Sequence, residues 1–77
     1  MSEDIWAPRI DSLVSAMKRL EAANGSSTIK VIDIRNQLAE DGLEWKHTLI
    51  REIIVYAVRR NVAELAARGA YRLTEFA

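Results

Sequence analysis

Thr48-Leu49-Ile50-Arg51-Glu52-Ile53-Ile54-Val55-Tyr56-Ala57-Val58-Arg59-Arg60-Asn61 is the stretch whose conformation decides the fold, because it carries two competing signals. Ile53 to Val58 is an unbroken apolar run rich in β-branched side chains, and alone it would suit a buried strand. The whole segment is too long for a typical strand. At a 3.6-residue period Ile50, Ile53, Ile54, Ala57 and Val58 gather on one side, and Thr48, Arg51, Glu52, Val55 and Arg59 fall on the other. A helix accounts for both length and charge placement, with Thr48 as its cap or a first-turn residue.

Upstream, Leu43 to His47 forms a connector containing Trp45. Before it, the spacing Val31, Ile34, Leu38, with Asp33 near the start and Glu40-Asp41-Gly42 at the end, predicts a helix of about two to three turns. Thr28-Ile29-Lys30-Val31 alternates as a short strand would, after a Ser26-Ser27 loop. Further back, Trp6, Ile10, Leu13, Val14 and Met17 share one arc with Leu20 at its margin. Asp11, Ser12, Ser15, Lys18 and Arg19 face away, which makes an amphipathic first helix. Pro8 suits its opening turn and Asn24-Gly25 its end. Gly25, Gly42 and Gly69 all read as helix stops or turns. The core expected from these faces is Leu13, Met17, Ile34, Leu38, Ile50, Ile53 and Ala57.

Downstream of Asn61 two readings stand. Val62–Leu65 and Ala70–Thr74 are the arms of a hairpin turning at Arg68-Gly69, or Asn61-x-x-Glu64 caps a fourth short helix ended by Gly69. In both, Ala70 to Thr74 is a strand with Tyr71 and Leu73 on one face, and its partner is the strand near Ile29.

The chain of 77 residues and 8.7 kDa fits a single domain, 1–77, with no internal repeat or linker. Its composition, 49% hydrophobic and 29% charged, is that of a folded globular chain. No apolar run approaches the roughly 20 residues of a membrane helix. The acidic start Met1-Ser2-Glu3-Asp4 lacks the pattern of a secretion signal, so a cytoplasmic location is expected. Without cysteine, stability must come from the core or from self-association. The candidates for a homodimer contact are Ile5, Trp6 and Phe76. Formal charge is 0, yet residues 1–44 carry −3 and residues 45–77 carry +3, so the C-terminal half is the electropositive one.

Catalysis finds little support. There is one histidine, His47, and no cysteine; the cluster Glu40, Asp41, Glu44 lacks the alternating ligand spacing of a calcium loop. The serines sit in no nucleophile-elbow setting, and the isolated glycines cannot cradle a phosphate. No enzyme activity, metal, cofactor or small-molecule substrate is expected.

The order helix, strand, short helix, connector, longer helix, hairpin or strand resembles the winged helix-turn-helix family. The segments Ile32 to Leu38, Thr48 to Glu52 and Arg68 to Thr74 carry the likeness. The resemblance implies a mainly α fold with a small β element, and a third helix that enters the major groove of duplex DNA. It places Thr48, Arg51, Glu52 and Val55 toward base edges, with Lys46, His47 and Arg59 flanking them and Arg68 and Arg72 on phosphates. The chemistry agrees, since an α-helix fits that groove and an arginine can donate two hydrogen bonds to guanine there. Val55 has the further option of packing on a thymine methyl group. The expected role is a small transcriptional regulator or accessory factor, possible as a homodimer. The alternative is a winged-helix adaptor that binds protein and has little DNA affinity, which the zero net charge and the acidic first two helices favour.

Overall fold

The computed structural model describes residues 4–77, so Met1, Ser2 and Glu3 of the acidic start lie outside the described residues. The chain runs α1 (Trp6–Asn24), β1 (Ile29–Lys30), α2 (Val31–Glu40), α3 (His47–Arg59), β2 (Ala63–Ala67) and β3 (Ala70–Leu73). It is mainly helical, with one small three-stranded antiparallel sheet in the order β1-β3-β2.

The contested run Ile53 to Val58 is helical. Ile50, Ile53, Ile54 and Ala57 are buried on one side of α3 and meet Ile10, Leu13, Ala16 and Met17 from α1 and Ile34 and Leu38 from α2. A strand would have turned alternate residues of the run to solvent; the helix sinks four of its apolar side chains into a single core. Val58, expected on the inner side, lies at the margin and is 37% exposed. His47, expected in the connector, is the first residue of α3.

Left-handed residues close all three helices. Gly25 donates its amide to the Glu21 carbonyl. At the end of α2, Gly42 (φ 89°) allows its own amide to reach Ala39 and the Leu43 amide to reach Leu38. Asn61 (φ 62°) does the same for α3, with its amide on Val58 and that of Val62 on Ala57.

Asn61 also decides the downstream ambiguity. In the left-handed conformation it ends a helix and cannot cap the start of another, so the fourth helix is not formed and the chain turns into a hairpin. The hairpin reverses at Arg68-Gly69, with φ 72° at Gly69. The register pairs Ala63 with Leu73, Glu64 with Arg72 and Leu65 with Tyr71, before a bulge between Leu65 and Ala67. Ile29 pairs with Tyr71 from the other side. Ile29, Tyr71 and Leu65 therefore form one row on the sheet face that meets the helices, running from a buried end to an edge where Leu65 is 63% exposed. The Val31 amide, at the start of α2, donates to the Gly69 carbonyl and ties the hairpin turn to that helix.

No helix among the described residues is long and apolar enough to cross a membrane.

Candidate functional site

α3 presents its outward face as two stripes. His47, Arg51 and Val55 follow one another at four-residue spacing, and Thr48, Glu52 and Arg59 lie beside them. All six are exposed, and Val55 is 46% exposed among polar neighbours.

The first stripe meets the hairpin. A cleft of about 320 Å³ is lined by His47, Arg51, Ile54 and Val55 of α3, Val31 of α2, and Gly69 and Tyr71 of the hairpin. The Val31 to Gly69 hydrogen bond holds the turn where it closes this cleft. The second stripe meets the start of α1 in a shallower groove of about 450 Å³ lined by Trp6, Arg51, Glu52, Val55, Tyr56 and Arg59. Arg51 and Val55 belong to both grooves and stand at the centre of the face.

The basic side chains differ in what holds them. Arg72 Nε donates to Glu64 Oε1 at 2.6 Å, and both lie on the sheet face opposite Tyr71, away from the cleft. Arg59 lies over the Tyr56 ring with its guanidinium 5.7 Å from the centroid. Arg60 pairs with Asp4 at 2.9 Å, and Arg19 pairs with Asp41. No ion pair is formed by Lys46, Arg51 or Arg68 among the described residues. Of the sequence-derived candidates, then, His47, Arg51 and Val55 are brought together with the hairpin; Thr48, Glu52 and Arg59 share the α3 face; Arg68 sits in the exposed turn; and Arg72 is turned elsewhere.

Lys46 occupies the cap position of α3, where no side chain accepts a backbone amide, and no acidic residue stands in the first turn. That end of the helix keeps its unsatisfied amide donors and its positive dipole, a setting that favours anions. Beside it lies a notch of about 370 Å³ lined by Arg35, Ala39, Leu43, Glu44, Trp45 and Lys46. Sequence reasoning did not single out Arg35, which lies on the outer side of α2, and left the placement of Trp45 open.

Asp4 is the group with a displaced ionisation: the hydrogen bond from Arg60 lowers its carboxyl pKa, partly opposed by desolvation, and the Trp6 amide adds to the lowering. It belongs to the joint between α1 and α3. No group of three or more His, Cys, Asp or Glu side chains among the described residues is placed to hold a metal ion.

Comparison of the chain with protein-family models, with curated proteins and with solved structures finds no match.

Proposed function

We propose that this chain is a non-catalytic, winged-helix duplex-DNA-binding domain of a small transcriptional regulator or accessory factor. In this reading α3 lies in the major groove and the β2–β3 hairpin rides on the flanking backbone. The observation that carries it is the cleft in which His47, Arg51 and Val55 stand against Gly69 and Tyr71, because it puts an exposed helix face and an exposed hairpin turn side by side. The element order and the sheet order β1-β3-β2 support the same assignment.

The roles follow from the groups. Arg51, unpaired and central, donates to guanine O6 and N7; Glu52 accepts from a cytosine amino group; Val55 packs on a thymine methyl group. Lys46 and Arg68 contact phosphates, which fix register and add affinity without sequence information. Arg59, held on Tyr56, borders the readout face.

The test is fluorescence anisotropy of a labelled random duplex at about 50 mM salt, followed by selection of preferred sites. Salt-sensitive binding with a preferred site is the expected result. Absence of binding at low salt would remove the reading. In that outcome a protein adaptor replaces it, a role favoured by Val55, exposed at the centre of the face, and by the engagement of Arg59, Arg60 and Arg72 within the chain.

A further inference from the structure

The notch between α2 and the connector to α3 gathers donors and leaves them unused. Arg35 and Lys46 form no ion pair among the described residues. Trp45 is half-buried against the core, and its indole N–H takes part in none of the side-chain hydrogen bonds of the described residues. Yet no buried side-chain nitrogen or oxygen is left without a partner, so that N–H opens to solvent and is not sealed in the core. Arg35, Lys46 and Trp45, which carry a guanidinium, an ammonium and a free indole N–H, thus line one cleft, with Glu44 the one acidic residue in its wall. Donors of these kinds suit a singly charged tetrahedral oxyanion, and the flat indole offers its ester groups an apolar wall.

We infer that this notch is a phosphodiester-binding site, in which Arg35, Trp45 and Lys46 grip the DNA backbone where the connector enters α3. The inference rests on the duplex-DNA reading above and extends it. The hairpin turn with Arg68 lies by the cleft of His47, Arg51 and Val55, whereas the notch opens where the connector enters α3. The two are separate in their linings, so the notch gives the backbone a contact at the entry of α3 besides the one at the hairpin. Trp45, whose place the sequence left open, acquires two functions: its ring seals the connector over the core, and its N–H meets the phosphate.

The chain has two tryptophans, so Trp6→Phe leaves Trp45 as the only indole reporter. In that background, a random duplex at low salt is expected to change the Trp45 emission saturably, in step with the anisotropy of a labelled duplex. Arg35→Ala and Lys46→Ala are each expected to weaken binding to all sequences severalfold and to reduce the slope of log K against log salt by about one. Lys18→Ala, an exposed cation on α1, leaves the slope unchanged. Circular dichroism melts confirm that each variant folds. Inorganic phosphate at millimolar concentration is expected to leave Trp45 unchanged, and a saturable response to it would replace the backbone contact with a small-anion site. If the duplex binds but Trp45 is silent and Arg35→Ala keeps the full salt slope, the notch inference falls and the DNA reading stands. If no duplex binds at all, both fall.

Discussion

The indole of Trp6 stacks on the phenol ring of Tyr56 with centroids 4.3 Å apart and ring planes inclined by 28°. Arg9 caps the outer face of the indole at 5.0 Å and Arg59 covers Tyr56 at 5.7 Å, so two rings and two guanidinium groups join the first turn of α1 to the last turns of α3. Offset stacking and cation–π contacts add to the apolar area that the rings bury. This joint engages one of the three side chains expected to mediate self-association: Trp6 packs within its own domain, while Ile5 (54%) and Phe76 (70%) stay exposed.

Trp6→Ala is therefore expected to destabilise the fold by about 2 kcal/mol, less than a fully buried tryptophan because the ring is only partly buried. In a domain of this size that lowers the melting temperature by roughly 10 °C. Trp6→Phe should recover most of it. Sedimentation velocity should show the same mass for wild type and Trp6→Ala. An unshifted melt would mean that the stack contributes nothing.

The Asp4 to Arg60 pair gives a pH signature at the same joint. Because the folded-state pKa of Asp4 is lowered from 3.8, its contribution to stability is complete above that value and is lost as pH falls through and below it. Asp4→Asn removes the charge at every pH. Thermal melts should show the wild type ahead of Asp4→Asn at neutral pH, with the gap closing in acid below the ordinary carboxylate range. A gap independent of pH would assign the loss to the hydrogen bonds and not to the charge.

At the start of α3, Lys46 sets stability against binding. An aspartate at this uncapped position can accept an amide of the first turn and complements the helix dipole, so Lys46→Asp should stabilise the fold by about 1 kcal/mol. The same change replaces a phosphate donor with a carboxylate and should weaken random-duplex binding by more than the neutral Lys46→Ala does. Chemical denaturation and anisotropy measured on one preparation test the two signs together; a gain in both would free Lys46 of any role in binding.

Much of the architecture was legible because strong periodicity settles element type. The spacing of Ile50, Ile53, Ile54 and Ala57 outweighed the β propensity of their neighbourhood, and the seven residues expected in the core are all buried. The segment after Asn61 was not legible. Ala63-Glu64-Leu65-Ala66-Ala67 has good helix-forming composition, and only its pairing with β3, together with the left-handed Asn61, makes it a strand. The α3 face could be listed from spacing alone, since helical neighbours are set by the period. The notch could not, because Arg35 lies on α2 and Lys46 at the cap of α3, and only tertiary packing joins them. The Arg72 pairing with Glu64 depended on the hairpin register and was equally out of reach.

That pairing separates the three arginines in the DNA reading. Arg51→Ala is expected to relax preference at one position of a selected site, costing about 1–3 kcal/mol against the best base, with little change on random duplex. Arg68→Ala, in the exposed turn, should weaken all sequences alike and reduce the salt slope by about one. Arg72→Ala should do much less than Arg68→Ala, because Glu64 already neutralises Arg72 on the face turned from the cleft. Glu64→Gln provides the counter-test: with both side chains on the face turned from the cleft, freeing Arg72 is expected to leave random-duplex binding and its salt dependence nearly unchanged. Equal losses from Arg68→Ala and Arg72→Ala, with a clear gain from Glu64→Gln, would mean that the hairpin meets DNA by its opposite face, and the placement of α3 relative to the groove would have to be redrawn.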